Sequence, residues 1–287
     1  MIPLLDNHQL VTPASLVAAL DDLARHPSAR PFAGGTDLMV VLESGHLPPG
    51  RYVSLQNCRE LAGIQEAPDG VTIGALTTYT EIRNSPVLSR RYSLLALAAS
   101  ETGGLATQNR GTIGGNIANA SPAADTPPVL LVYDAELELM SAAGRRRIPY
   151  AAFHLGYKKM DLAPGELIAR IHLPVRVGWR DYYRKVGTRR AQAISKVCFA
   201  GSILMDGTRV TDVRIALGSV APTVVRATRT EGTLRGRTLD EAAIAAAARP
   251  FTSEIAPIDD IRSTARYRER VAANLLREFL AGSRASA

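Results

Sequence analysis

The sequence predicts an α+β fold. Three observations carry this. Asp69-Gly70 lies between alternating segments and signals a β-hairpin, and Asp206-Gly207 does the same within a run of strand-like segments after residue 174. Amphipathic helices then close the chain, and a sheet followed by helices is an α+β pattern. With 287 residues, 46% of them hydrophobic and 21% charged, the chain is long enough for two or three domains with real cores.

Residues 15–23, SLVAALDDL, have the apolar spacing of an amphipathic helix, with Thr12 as expected N-cap and Pro13 at its first position. In "ARPFAGGTDLMVVLESG" a short strand leads into a glycine turn at Gly34-Gly35 and then an apolar segment over 38–42. "YVSLQN" (52–57) reads as a strand and "GIQEAPDGVTIGAL" (63–76) as the first hairpin. Residues 80–103 hold one or two helices, with 94–99 buried. The stretch "TQNRGTIGGNIANASPAADTPP" (107–128) shows neither helical nor strand periodicity, and its permissive backbone suits a surface that lies against something. "VLLVYDAELELMSAAGRRRIPYAAF" reads as strand, turn, strand, with Arg145, Arg146 and Arg147 at the hairpin end. "ELIARIHLP" is a strand ended by Pro174. "WRDYYRKVG", "ISKVCFAGSILMDGTRVTDVRIALGSV" and "TVVRATRTEGTL" read as strands of an antiparallel sheet. "TLDEAAIAAAARPF" and "YRERVAANLLREFLAG" are helices, the second burying Val271, Leu275, Leu276, Phe279 and Leu280 on one face. The domain boundary falls near residues 174–178.

Composition limits the chemistry. Cys58 and Cys198 are the only cysteines, too few for an iron–sulfur cluster or a disulfide framework. None of the five histidines has metal-ligand spacing with another, so no metal site is expected. No apolar run approaches a membrane span, and the N-terminus has no basic region leading into an apolar one. A cytoplasmic chain is therefore expected. The net charge of +7 could suit nucleic acid, an anionic ligand or an acidic protein. Aromatics make up only 5% and no recognition motif is visible, so a nucleic-acid partner is not expected.

Two glycine motifs invite a ligand. In Ala33-Gly34-Gly35-Thr36-Asp37, consecutive amides can form an anion-binding nest suited to a diphosphate. Thr36 can donate a hydroxyl bond, whereas Asp37 would oppose a phosphate and should instead accept from loop amides or a ligand hydroxyl. Gly111-Thr112-Ile113-Gly114-Gly115-Asn116 offers the same chemistry, and together the motifs could grip one dinucleotide. Either alone is more often a structural turn, and neither matches the dinucleotide or P-loop fingerprints.

"AGGTDL" (33–38) followed by "NRGTIGGNIANASPAADTPPVLL" (109–131) resembles the FAD-binding subunit of the molybdenum hydroxylases, including the medium subunit of aerobic carbon monoxide dehydrogenase and the FAD domain of xanthine dehydrogenase. The resemblance continues through "ELIARIHLP" and "YRKVGTRRAQAISKV" (183–197). It implies a two-part FAD-binding domain of the vanillyl-alcohol-oxidase (PCMH) type over 1–176, divided near residue 57. A smaller α+β domain of the CO dehydrogenase flavoprotein C-terminal type would follow over 177–287, with a three-stranded antiparallel sheet and helices.

By position, the resemblance implies that Pro31 and Phe32 lead into a first diphosphate loop of Ala33, Gly34, Gly35, Thr36 and Asp37. Gly111, Thr112, Ile113, Gly114, Gly115 and Asn116 would form the second, with Asn119 also at the cofactor. Asp125 would meet ribityl or ribose hydroxyls, against a reading as cap or turn acid before Pro127-Pro128. Ile168 would lie near the flavin pyrimidine ring, against simple core. Lys185 would lie at the same end, against an exposed strand lysine. Tyr182 or Tyr183 could stack on the flavin or simply pack. The scarcity of cysteines argues against the family version with an inserted cluster-binding loop.

No nucleophile–base pair is visible, so the expected function is electron transfer through FAD. A large partner chain would hold the molybdenum cofactor and a small one the [2Fe-2S] clusters, with NAD+, a quinone or oxygen as acceptor. The alternatives are a self-contained FAD-dependent oxidase or dehydrogenase, and a non-redox nucleotide- or RNA-binding protein.

Overall fold

The computed structural model describes residues 7–189 and 191–285. Arg190, inside the 183–197 motif, and the first six residues of the N-terminal segment lie outside them.

The chain begins with a small parallel sheet. β1 (His8–Val11) and β2 (Arg30–Phe32) both pair with β3 (Gly50–Ser54), giving the order β1-β3-β2. Between β1 and β2 runs α1 (Leu16–Arg25), whose Leu16, Ala19, Leu20 and Leu23 pack with Val53, Leu55, Leu61 and Leu167. Its N-cap is Ser15, which accepts from the Ala18 amide at 3.3 Å, rather than the expected Thr12. Side-chain capping of a free amide decides this start, while Pro13 stays in the connection. Arg51 reaches Asp22 through two nitrogens at 2.8 and 2.6 Å and holds that carboxyl below its ordinary range. After β2 comes α2 (Leu38–Glu43), none of whose residues is buried.

A five-stranded antiparallel sheet follows in the order β4-β5-β10-β6-β7: β4 (Ile64–Ala67), β5 (Gly70–Gly74), β6 (Glu136–Ser141), β7 (Gly144–Pro149) and β10 (Leu167–Pro174). The hairpin at Asp69-Gly70 forms as predicted, with Gly70 at φ +151° and a Cβ position blocked 2.0 Å from the Leu173 carbonyl. Between β5 and β6 the chain is helical: α3 (Tyr79–Asn84), α4 (Pro86–Arg91), α5 (Ser93–Glu101), α6 (Leu105–Arg110), α7 (Ile113–Ala118) and α8 (Pro127–Val132). Three helices replace the one or two expected over 80–103, because Ser85 caps α4 with Pro86 at its first position and ends α3. Residues 129–132 are helical rather than a strand, started by Pro127-Pro128. The glycine-rich stretch holds two helices of six residues each, too short to show periodicity. The small hairpin β8 (His154–Gly156) and β9 (Lys159–Met160) sits beside α7.

The last sheet is β11 (Arg180–Val186), β12 (Val197–Asp206), β13 (Arg209–Gly218) and β14 (Val225–Arg226) in sequential antiparallel order. The two-residue β14 is a fourth strand beyond the three implied by the resemblance. Residues 228–234 form α9 (Thr228–Leu234), not a strand. Glu231 explains this: its buried carboxylate accepts from the Ile215 amide at 2.8 Å and from Arg226 and Arg235, pinning a helical turn to β13. α10 (Glu241–Thr252) and α11 (Ala265–Ala285) cover the other face, where Leu275, Leu276, Phe279 and Leu280 of α11 join Phe199 and Phe251.

In the connection between β10 and β11, the Arg176 guanidinium lies 4.3 Å from the Tyr133 ring centre and 4.9 Å from that of Trp179. It also donates to both oxygens of Asp181. Before α11, one oxygen of Asp260 accepts from the amides of Arg262 and Ser263 and from buried Arg268. Burial raises the Asp260 carboxyl, but these donors outweigh it and hold it at about 2. A carboxyl depressed in the folded state stabilises above its unfolded value, and this is lost as pH falls through the folded one. The melting-temperature gap between wild type and Asp260→Asn should therefore be full above pH 4 and narrow as the pH is lowered toward 2, as thermal melts across that range would show. A gap independent of pH contradicts this.

Candidate cofactor site

The two glycine motifs meet through their backbones. A Cβ built on Gly34 would lie 1.8 Å from the Arg110 carbonyl oxygen and 3.2 Å from the Gly111 Cα. Only glycine permits that approach. The first motif leaves β2, held to β3 by the Leu55 amide donating to the Phe32 carbonyl at 2.9 Å. Gly35 turns the chain at φ +75°, beside the half-buried Phe32 ring, and its carbonyl accepts from the Met39 amide as α2 begins. The amides of Gly34, Gly35, Thr36 and Asp37 find no acceptor among the described residues.

The second motif differs from expectation. It is the entry to α7, and its amides already have partners. Ile113 donates to the Thr77 carbonyl at 3.0 Å and Gly114 to the Ala75 carbonyl at 2.8 Å. Gly115 donates to the Thr112 hydroxyl at 3.1 Å, the N-cap bond, and Asn116 donates to the Thr112 carbonyl. Gly111 and Gly114 are needed for packing, since a Cβ would meet the Tyr79 ring at 2.8 Å and Ala75 at 2.6 Å. Gly115 is exposed, and its Cβ would meet only Thr112. The second motif thus supplies a rigid wall and one bare glycine, while the first supplies free donors.

Side chains tie the motifs together. Asn119, which ends α7, donates to Asp37 Oδ1 at 3.2 Å. Of the two acceptor roles expected for Asp37, the one toward loop amides is not seen among the described residues, where Asn119 donates to it instead. Lys158, at φ +55° between β8 and β9, donates to the carbonyl and side-chain oxygens of Asn119 at 2.5 and 2.6 Å. His154 Nε2 bonds the Ile117 carbonyl at 3.0 Å. The Asn116 side chain accepts from the Thr126 hydroxyl at 2.6 Å, anchoring α7 to the segment of Asp125.

Asp125 is buried and caps nothing, since the N-cap of α8 is Thr126, which makes no side-chain capping bond. One oxygen accepts from Lys185 Nζ at 2.7 Å and the other from Ser195 Oγ at 2.6 Å. Burial pushes its carboxyl up, while the Lys185 ammonium and the Ser195 hydroxyl pull it back. Lys185 is a buried cation, not an exposed strand lysine, and also donates to the Glu101 carbonyl at 2.7 Å. Ile168 lies on β10 opposite Leu139, buried, near a bulge in the ladder. Neither tyrosine is free to stack: Tyr182 packs 5.7 Å from Phe199 and 5.8 Å from Phe279, and Tyr183 is buried beside Cys198. Pro31 stays in β2 as an entry residue.

A bare backbone nest, a φ > 0 glycine and hydroxyl and amide donors suit a diphosphate better than a metal. Among the described residues no group of three or more His, Cys, Asp or Glu could hold an ion. The model of the FAD binding domain in molybdopterin dehydrogenase matches residues 6–176, and that of the CO dehydrogenase flavoprotein C-terminal domain matches residues 182–282. The chain belongs to the FAD-binding subunits of the molybdenum hydroxylases. It is an FAD-binding oxidoreductase subunit, not a non-redox nucleotide- or RNA-binding module.

The flavin subunit is 34% identical to the glyceraldehyde dehydrogenase medium chain of Sulfolobus acidocaldarius, over 90% of this chain and 91% of that one. It is 31% identical to the xanthine dehydrogenase FAD-binding subunit of Escherichia coli O157:H7, over 96% and 95%. Its fold matches the structure of carbon monoxide dehydrogenase from Hydrogenophaga pseudoflava lacking the Mo-pyranopterin moiety, with a TM-score of 0.92 at 31% identity over 97% and 96% of the chains.

Sequence reasoning missed Lys158, His154, Ser195 and the Glu101 carbonyl. Ser195 stood within a recognised motif, but nothing local distinguishes a buried serine on a distant carboxylate from a surface one. Gly34→Ala should lower the melting temperature of the flavin subunit by roughly 5 °C, since a backbone carbonyl cannot yield to the added methyl. Gly232→Ala, in α9 where an added Cβ meets nothing, should raise it slightly. Equal melting temperatures for the two variants contradict the backbone contact.

Proposed function

We propose that this flavin subunit carries electrons from the iron–sulfur clusters of a small partner chain to NAD+, a quinone or oxygen. In this reading a large partner chain holds the molybdenum cofactor where substrate is hydroxylated, and the assembly works in the cytoplasm. The observation that supports it most is the set of unpartnered amides at Gly34, Gly35, Thr36 and Asp37, set against the internally bonded entry to α7. Backbone donors of this kind bind a diphosphate without a counter-charge on a flexible side chain.

The residues divide by task. The first motif's amides and the Thr36 hydroxyl hold the diphosphate. Gly115 keeps the wall of α7 bare, and Asn119 and Lys158 brace Asp37 away from the anion. Pro31, Phe32, Ala33, Gly111, Thr112, Ile113, Gly114 and Asn116 shape the two segments. Ile168 and Lys185 face the pyrimidine end, and Asp125 acts through Lys185 rather than on a cofactor hydroxyl. FAD takes up electrons singly and releases them in pairs, so it joins one-electron clusters to a two-electron acceptor. A cation near its pyrimidine end favours the reduced form.

Gly115→Val should leave the fold in place at a cost of about 1 kcal/mol in the disturbed N-cap, while flavin content falls at least tenfold. Far-UV circular dichroism and the visible flavin bands of the purified complex, with its iron and molybdenum content, check this. Full flavin occupancy in a folded variant contradicts the site assignment.

A further inference from the structure

Lys185 owes its place to groups beside two helices. It rises from β11 and is gripped by the Glu101 carbonyl at the end of α5 and by Asp125 before α8. The second oxygen of Asp125 is taken by Ser195, which is completely buried. Ser195 is itself fixed. Its carbonyl accepts from the Ser219 hydroxyl at 2.8 Å, and the carbonyls of Lys196 and Ser219 both accept from buried Arg268. A hydroxyl held this way on a buried carboxylate favours the charged form.

Three of the groups around this pair stay out of the titration of Asp125. Burial raises the phenols of Tyr79 on α3 and Tyr183 on β11 and the thiol of Cys198 on β12, so all three stay neutral through mild acid and base. The Glu101 carboxylate also faces Tyr183 and Cys198 from α5. Lysine releases its proton far above the range in which a carboxyl gains one. When the added proton reaches Asp125, Lys185 loses the carboxylate hydrogen-bonded to it.

We propose that Ser195 is a positioning residue, whose hydroxyl holds the Asp125 carboxylate against Lys185 and so sets the charge that reaches the flavin. This rests on the reading above that Lys185 faces the cofactor. With Asp125 ionised, the pair presents no net charge. With Asp125 protonated, the ammonium acts alone and favours reduced flavin. Loss of the Ser195 donor moves that change to higher pH, on the order of one unit for a hydrogen bond to a charged group.

The test is the flavin midpoint potential of the intact complex between pH 5 and 9, after flavin content has been measured. Wild type and Ser195→Ala should coincide at the alkaline end. The variant's potential should turn upward about one pH unit before that of wild type as acid is added. Ser195→Thr, which keeps the hydroxyl, should follow wild type. Asp125→Asn, neutral at residue 125 at every pH, should lie above wild type at the alkaline end, meet it at the acid end and lack the turn. If Ser195→Ala does not assemble, Ser195→Cys, a weaker donor of similar size, is read in its place with the same expected direction. A Ser195 variant that melts earlier but tracks the wild-type potential at every pH overturns the proposal and leaves Ser195 a packing residue. A wild-type complex without flavin removes the cofactor reading itself, and this inference with it.

Discussion

The contact of Gly34 with the Arg110 carbonyl is the constraint on which the rest depends. It joins a turn that leaves a parallel sheet to a helix pair laid across an antiparallel one. A single methyl on Gly34 would force the two apart. Each side is set by its own ladder. β2 and β3 deliver the first turn, and the Ala75 amide on the Ala169 carbonyl fixes the end of β5 against β10, where Gly114 docks. The outcome is asymmetric. One motif keeps its amides open and the other has satisfied them internally. An anion held there would meet donors with no partner of their own, beside a wall fixed by its own hydrogen bonds.

Charge is arranged with the same economy of side chains. Many of the arginines are engaged in surface and half-buried pairs. Arg146 alone bridges Asp161 and Glu166. The exception in depth is Asp125 with Lys185, which joins the segment before α8 to β11. Burying such a pair costs desolvation, and breaking it leaves one charge unpaired in a poor solvent for it. A pair like this is a weak route to stability but an effective way to fix a cation in one place. That matters for a flavin, whose reduction adds negative charge at one end of its ring system.

Much of this was legible in the sequence, for physical reasons. Glycine at 34, 35, 111 and 114 is demanded by close approach or left-handed backbone, so these positions stand out in a single chain. Long helices such as α11 carry enough turns to show their apolar face, and Asp-Gly marks two of the hairpins. The six-residue helices α2, α6, α7 and α8 complete fewer than two turns and left no period to detect. α9 was hidden because it depends on Glu231 reaching a β13 amide, a tertiary bond. The same holds for the site. Its residue types could be named, but which amides remain open, and that Asp125 faces Lys185 and Ser195, are properties of chain segments far apart in sequence.

The central claim is that the first motif binds with free amides while the second is already satisfied. Amide hydrogen exchange of the flavin-free chain, measured without and with added FAD, tests it most directly. The account predicts that Gly34, Gly35, Thr36 and Asp37 exchange freely and become protected on binding, whereas Ile113, Gly114 and Gly115 are protected from the start and change little. Protection appearing at the second motif alone, with residues 34–37 unchanged, contradicts it.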